Sequence, residues 1–288
     1  MILVTGAAGK TGRAVIRALT ARGQAVRAMV HRPEQAASVT SLGARELVVG
    51  EMRSQAIMDQ VAQGVRAVYH ISPNMSPDEV TFGRVAIMAA QAAGVERFVY
   101  HSVLHPQTET MPHHWQKLRV EELIFESGLS YTILQPAAYM QNVLAYWKPI
   151  VEQGIYPIPY AIETRLGMVD LEDVAEVAAL VITEPGHAGA IYELAGAEVL
   201  SQAEVAQILA QQLGRLICAQ TVPLEEWEGR ARASGLGEYQ VETLLRMFRY
   251  YEHHGFWGNP NVLTWLLHRP PTTFAAFVER LHKEDKTD

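Results

Sequence analysis

The sequence predicts an α/β fold, in which a doubly wound parallel sheet is joined to a smaller, helix-rich lobe toward the C-terminus. Short apolar, β-branched runs alternate with longer amphipathic runs at a spacing of roughly 20 to 35 residues, which is typical of βαβ units. Several short runs are apolar on both faces, as a sheet covered by helices on both sides requires. Glycines able to adopt positive φ follow the amphipathic runs, namely Gly23, Gly43, Gly64, Gly94 and Gly128.

The alternation assigns the elements in chain order. Strands are predicted at residues 1–5, 25–30, 46–49, 66–71, 97–102 and 131–134. Helices are predicted at residues 12–22, 34–42, 54–62, 78–93 and 113–127. After Pro136 we expect a helix at 137–153, an irregular stretch at 154–164, a helix at 170–183 and a strand at 190–194. We therefore expect residues 1–136 with about 165–195 to form the sheet domain, and residues 137–164 with 196–288 to form the smaller lobe.

Composition limits the classes of partner. The net charge of −7 and the pI near 5.9 argue against a protein that mainly neutralises nucleic-acid phosphates. No apolar run approaches the roughly 18 residues of a membrane span, so no membrane association is expected. The single cysteine, Cys218, excludes an internal disulfide, indicates a reducing compartment and is expected to be buried. We therefore expect a cytoplasmic protein.

The most informative motif lies between the first strand and the first helix. It reads Gly6-Ala7-Ala8-Gly9-Lys10-Thr11-Gly12. Glycines in such a turn let backbone amides approach a pyrophosphate, and the positive end of the helix favours the anion. We expect Gly6, Ala8, Gly9, Lys10, Thr11 and Gly12 to bind a dinucleotide.

The residues after the second strand indicate which dinucleotide. This position carries an acid where a ribose 2′-hydroxyl is recognised and an arginine where a 2′-phosphate is recognised. Here it holds Arg32, whose planar fork suits a phosphate monoester. NADP(H) is therefore preferred, and NAD(H) remains open.

Four segments together resemble the NmrA-like group of atypical short-chain dehydrogenase/reductases, namely residues 4–13, 26–33, 92–102 and 127–136. The resemblance implies a Rossmann-type fold and an NAD(P)H-dependent oxidoreductase, with NADPH preferred, that reduces a small aromatic, quinone-like or conjugated acceptor. It leaves open a redox-sensing regulatory protein without turnover, and also a homodimer or a protein partner. Members of the group often carry Gly-Asp near the adenine, and Glu51 follows Gly50 at that position here.

The resemblance also implies catalytic residues. The Tyr-x-x-x-Lys pair of short-chain reductases corresponds to residues 113–117, so Lys117 would hold the nicotinamide ribose and His113 would replace the tyrosine. Ser102 ends the fifth strand, where open α/β sheets bind ligands. His113, with an unperturbed pKa near 6.5, would donate a proton near neutrality; otherwise water protonates the product.

The remaining candidates follow other strand ends. Ser72 and Pro73 after the fourth strand and Pro136 at the sixth are expected to contact the cofactor. Met75, Tyr139 and Asn142 are expected to contact the substrate, the first two as an apolar wall and Asn142 as a polar anchor. The histidines near residue 105 do not have the spacing of a recognised ligand set, so no metal site is expected.

Overall fold

The computed structural model describes residues 1–284, and the chain divides into two compact units. The first unit comprises Met1–Gln135 and Val174–Tyr192, and the second comprises Pro136–Asp173 and the chain from Glu193 onward. Within the described residues, no helix combines the length and the apolar character needed to cross a bilayer. Whether the second unit is the substrate-side lobe stays a prediction.

The first unit alternates strands and helices as the sequence predicts. Its strands are β1 (Ile2–Val4), β2 (Val26–Val30), β3 (Glu46–Val49), β4 (Ala67–His70), β5 (Arg97–His101) and β6 (Tyr131–Pro136), the last of which ends at the unit boundary. Its helices are α1 (Lys10–Ala21), α2 (Ala36–Thr40), α3 (Gln55–Ala62), α4 (Glu79–Ala93) and α5 (Pro112–Glu126). A 3₁₀ turn at Pro33–Gln35 precedes α2, so the single helix predicted at 34–42 is in fact two shorter pieces.

The central sheet has the strand order β3-β2-β1-β4-β5-β6, followed at the edge by β9 (Ala190–Leu194). The five neighbouring strand pairs from β3 to β6 are all parallel. The chain runs outward from β1 to β3 and then returns to β4 on the other side of β1. The carboxyl ends of β1 and β4 therefore form the topological switch point, where such sheets bind ligands. The predicted doubly wound parallel sheet is confirmed.

The core of the first unit explains why its strands are apolar on both faces. On one face, Leu3, Phe98 and Tyr100 are fully buried in a cluster with residues of α3, α4 and α5, and the alternating residues Ile2, Val4 and Val99 are fully buried as well. Removing such side chains from water is the main driving force for folding. The same packing fixes the strand ends that carry the candidate site.

The second unit is helix-rich but contains strands that the sequence did not predict. Its helices are α6 (Trp147–Gln153), α7 (Leu171–Thr183, which crosses into the first unit), α8 (Gln202–Leu213), α9 (Leu224–Ala233), α10 (Glu238–His254), α11 (Asn261–Leu267) and α12 (Phe274–Glu284). Its strands are β7 (Ile155–Ile158), β8 (Arg165–Gly167), β10 (Val199–Ser201) and β11 (Cys218–Thr221). β7 pairs with β11 in parallel, and β8 pairs with β10 antiparallel.

Three expectations for this region need correction. The helix expected at 137–153 begins as a 3₁₀ segment at Met140–Tyr146 and becomes α-helical only from Trp147. The stretch expected to be irregular contains β7, which is ordered by pairing with a distant strand. Cys218 is exposed on β11, so the expectation of a buried thiol is wrong.

Two buried carboxylates in the second unit bind arginines of its C-terminal segment. Asp170 binds Arg280 at 2.7 Å, and Asp173 binds Arg269 at 2.8 Å.

Candidate functional site

The glycine loop between β1 and α1 has two glycines that its own packing requires. Gly6 has φ +58°, and a Cβ there would lie 2.8 Å from the Ile71 carbonyl oxygen. A Cβ on Gly12 would lie 2.7 Å from both the Cα and the carbonyl oxygen of Ala7. Gly9 differs, because it is exposed and its Cβ would approach only one atom, a backbone oxygen at 3.3 Å. The loop therefore presents an open surface at its middle glycine.

The start of α1 offers several amide donors at this surface. Gly9 is the N-cap residue and supplies no side-chain acceptor, as Ser or Asp would. Among residues 1–284, the Ala8 amide has no backbone acceptor, and the amides of Thr11 and Gly12 lie in the first turn of α1, before its i→i−4 hydrogen bonds begin at Arg13. Unsatisfied amides and the positive end of a 12-residue helix together form an anion site. The geometry fits the pyrophosphate of a dinucleotide.

The neighbouring strand end is tied to this loop by Thr5, the residue after β1. The Thr5 Oγ1 accepts a hydrogen bond from the Ile71 amide at 2.8 Å and donates to the Ile71 carbonyl at 3.1 Å. It also lies 3.0 Å from Nδ1 of His70, whose Nε2 is 3.3 Å from the Ser72 hydroxyl. Burial lowers the pKa of His70 to about 4, so this imidazole is neutral. Ser72 is buried within this network and Pro73 beside it is exposed.

Arg32 and Glu51 are charged residues that follow β2 and β3, and they differ in whether their side chains have a protein partner. Arg32 is exposed, and its guanidinium has no hydrogen-bond or ion-pair partner in the described part of the chain. Its backbone amide donates to the Gln35 side chain at 3.0 Å. Glu51, also exposed, lies 2.5 Å from Nε2 of His31. The guanidinium of Arg32 is thus available to a ligand, whereas Glu51 already has a partner that sequence reasoning missed.

Lys117 lies in a buried polar network at the carboxyl end of β5. Its Nζ donates to Glu79 Oε1 at 3.0 Å and to the His101 carbonyl oxygen at 3.1 Å. The Tyr100 hydroxyl donates to the same Glu79 oxygen at 2.7 Å. Glu79 begins α4 and is almost completely buried. The sequence analysis did not single out Glu79, although a carboxylate in the first turn of a helix is a recognisable feature.

Ser102 is held by a second carboxylate that was also missed. Its hydroxyl donates a short hydrogen bond to Glu121 Oε1. The Gln135 side chain donates to both oxygens of the same carboxyl group, at 2.9 and 3.1 Å. Burial raises the pKa of Glu121, although the hydrogen bonds from Ser102 and Gln135 oppose this effect. Glu121 lies four residues after Lys117, on the same side of α5.

The environment of His113 differs from the expectation. Burial, with smaller contributions from His114 and Lys117, lowers the pKa of His113 to about 2. Its ring packs edge-on against that of His114 at 4.4 Å, and its buried Nδ1 has no hydrogen-bond partner within residues 1–284. The near-neutral pKa expected from an unperturbed imidazole is therefore wrong in this setting. The role of His113 as proton donor stays a prediction.

The predicted substrate residues are divided between the units. Met75, in the first unit, follows β4 and has φ +49°, an uncommon conformation for a side chain other than glycine. In the second unit, Tyr139 pairs through its backbone with Val169, and Asn142 is exposed in the 3₁₀ segment. Pro136 is the buried last residue of β6. Contact of these residues with a ligand stays a prediction.

Several known proteins are similar to this chain along nearly its whole length. The NAD(P)H azoreductase of Xenophilus azovorans is 28% identical over 281 residues, covering 97% of each chain. Quinone oxidoreductase 2 of Escherichia coli strain K12 is 29% identical over 285 residues, covering 98% of each. The crystal structure of an NADPH-dependent quinone oxidoreductase from Escherichia coli, complexed with NADPH, matches with a TM-score of 0.85 and 28% identity, covering 98% of this chain and 100% of that one.

The model of the NmrA-like family matches residues 1–279. That span includes the glycine loop, the whole first unit, most of the second unit and all the candidate site residues. The family predicted from the four sequence segments is confirmed. The chain belongs to the NmrA-like family.

Proposed function

We propose that this protein is an NADPH-preferring reductase that transfers hydride to a small quinone-like or other conjugated acceptor. The coarser statement, an NAD(P)H-dependent oxidoreductase, is confirmed by the relatives named as azoreductase and quinone oxidoreductases. The observation that carries the proposal is the β1–α1 loop, whose backbone amides can donate to a pyrophosphate. The similarity to reductases extends along nearly the whole chain. We also propose a cytoplasmic location, because a lone exposed thiol suits a reducing compartment.

The preference for NADPH is supported by Arg32. A guanidinium beside the end of β2, without a protein partner among the described residues, can form a charge-assisted fork with a 2′-phosphate. The carboxylate of Glu51 is paired with His31, which reduces its competition for that position. The glycine loop itself does not distinguish the two dinucleotides, because it contacts only their shared pyrophosphate.

The choice of acceptor is supported by the protonation states in the site. A bound nicotinamide would supply the hydride, and the chain would bind and orient the cofactor and the acceptor. Lys117 would hold the ribose hydroxyls. Burial lowers the pKa of His113 to about 2, so its imidazole is neutral at physiological pH and is a far weaker proton donor than an imidazolium, which disfavours an alkoxide product that needs a strong general acid. A quinone becomes a stabilised quinol anion, which water can protonate. Met75, Tyr139 and Asn142 stay the predicted acceptor contacts.

Steady-state oxidation of NADPH with a panel of quinones tests the proposed function, with NADPH binding measured in parallel by fluorescence titration. Turnover above the buffer rate supports the reductase. Measurable NADPH affinity without turnover of any acceptor would overturn it and favour a redox-sensing regulatory protein. Absence of binding would overturn both. The same preparation, analysed by sedimentation, would decide whether the predicted homodimer forms.

The cofactor preference is tested with Arg32→Ala. Loss of a charge-assisted contact removes about 1.5 to 3 kcal/mol of binding free energy, or about 10- to 150-fold in the NADPH dissociation constant. NADH binding should change little. Arg45 is an exposed arginine just before β3, at the amino-terminal ends of the strands, whereas Arg32 lies at their carboxyl ends. Arg45→Ala is therefore a matched control for lost surface charge. An equal loss for NADPH and NADH in Arg32→Ala would refute recognition of the 2′-phosphate.

A further inference from the structure

The pair formed by Glu79 and Lys117 is unusual because both charges are withdrawn from water. Their side chains are 5% and 16% exposed, and the Nζ to Oε1 distance is 3.0 Å. Taking two charges out of water costs more free energy than an isolated attraction returns, unless further hydrogen bonds satisfy both groups. Apolar side chains of similar size would often be equally stable here. Stability alone therefore does not explain why a buried ion pair is present at this position.

Glu79 has the surroundings of a fixed anchor. It lies in the first turn of α4, where the helix dipole favours a carboxylate. Tyr100 donates to the same oxygen that binds Lys117. Burial and the negative charge of Glu79 raise the pKa of Tyr100 well above its usual value, so the phenol remains a donor. The carboxylate is thus held by one helix and one strand.

Lys117 has one donor more than its protein partners use. An ammonium group carries three N–H donors. One donates to Glu79, one donates to the His101 carbonyl, and the Tyr100 ring lies 5.3 Å from Nζ. In the part of the chain that the structure describes, the third N–H has no acceptor. The Lys117 side chain is 16% exposed and lies at the carboxyl end of β5, the edge of the sheet where such folds bind ligands.

We propose that Glu79 is a positioning residue for cofactor binding. Together with Tyr100 and the His101 carbonyl, it fixes the Lys117 ammonium so that the third N–H donor points to the dinucleotide ribose. A free lysine side chain must lose rotamer freedom when it binds a ligand, and a lysine already anchored loses less. Glu79 itself touches no cofactor. This inference rests on the proposed function, because Lys117 is the ribose-binding group there.

The test measures NADPH affinity in Glu79→Gln, which keeps the shape of the side chain and removes its charge. We expect the NADPH dissociation constant and the KM for NADPH to rise about tenfold, with a smaller change in kcat, because coupled neighbours affect each other on this scale. Glu122→Gln is the matched control. Glu122 pairs with Arg119 at 2.8 Å on the same helix, but both side chains are more than half exposed. It should leave NADPH affinity unchanged.

The decisive comparison repeats Glu79→Gln in a Lys117→Met background. If Glu79 acts through Lys117, it should cause no further loss of NADPH affinity there. A loss of equal size in both backgrounds, or no loss in the native background, would overturn the inference. If Glu79→Gln does not fold, Tyr100→Phe replaces it, with an expected few-fold loss that also vanishes in the Lys117→Met background. These titrations need no turnover, so failure of the quinone assay and failure of this inference are distinguishable.

Discussion

Mild acidification is expected to unfold this protein, because several of its histidines are buried in the neutral form. Burial lowers the pKa of His70 to about 4, of His101 to about 3 and of His114 to about 4. His113 follows the same direction, with a pKa of about 2. Each folded pKa lies below the unfolded value, so the stability that these groups provide is present above pH 6.5 or so and is lost as the pH falls.

The size of the loss follows from proton binding by the unfolded chain. Between about pH 7 and pH 5, an unfolded imidazole with a pKa near 6.5 gains about 2 kcal/mol from protonation, whereas a buried imidazole gains almost nothing. Four such groups lower the free energy of unfolding by about 8 kcal/mol, which is comparable with the total stability of many domains. Glu121 acts in the opposite direction, because its raised pKa makes its contribution largest at low pH.

Urea denaturation from about pH 5 to pH 7.5 measures this dependence as the free energy of unfolding. His70→Asn places a non-titrating amide near Nδ1, within reach of Thr5, and should reduce the loss between pH 7 and pH 5 by about 2 kcal/mol. His253 is exposed near the end of α10, so His253→Asn is the control and should leave the dependence unchanged. A native chain that loses less than about 1 kcal/mol over this range would refute the reasoning.

Further changes test other parts of the site. Gly12→Ala should lower the melting temperature strongly, because its Cβ would lie 2.7 Å from Ala7 backbone atoms. Gly9→Ala should leave the melting temperature unchanged but weaken NADPH and NADH together in titrations. His113→Ala should keep turnover within a few-fold across neutral pH, whereas a loss of about 100-fold or more would identify His113 as the proton donor. Glu121→Gln should stabilise the protein more at about pH 7.5 than at about pH 5.5 in urea denaturation, because it removes a group whose folded pKa is raised.

The fold of the first unit was predictable because its signals are local. Two-sided apolar runs, helical periods and terminating glycines each lie within one element, and the predicted strands agree with β2 through β6 to within two residues at each end. The strands of the second unit escaped prediction for the opposite reason. β8 and β10 have three residues each, and their register pairs Gly167 with Val199, far along the chain. Such pairing is decided by tertiary contacts, which no short window of sequence contains.

The site was predictable only in part, for the same reason. The glycine loop is contiguous, so spacing and position were sufficient to identify it. Glu79 and Glu121 look like ordinary charged helix residues in the sequence, because only the packing of α4 and α5 against β5 brings them to Lys117 and Ser102. The sequence placed His113 at the start of a helix, but it could not show the burial that lowers the pKa of this histidine.

Some residues of the site are explained by the fold and others are not, and the difference indicates function. Gly6 and Gly12 must be glycine because a side chain would collide with backbone atoms. Gly9 has ordinary extended dihedral angles, a Cβ there would make only one tight contact, 3.3 Å from the Gly6 carbonyl oxygen, and Ser or Asp would cap α1 better at this position. A capping side chain, however, would occupy the amides that a pyrophosphate needs. Arg32 also has no structural role that the fold explains. Arg27, on the strand before it, binds Glu46 at 2.6 Å, whereas the Arg32 guanidinium has no partner among the described residues. Gly9 and Arg32 thus have features that local stability does not require and that the binding of a dinucleotide explains.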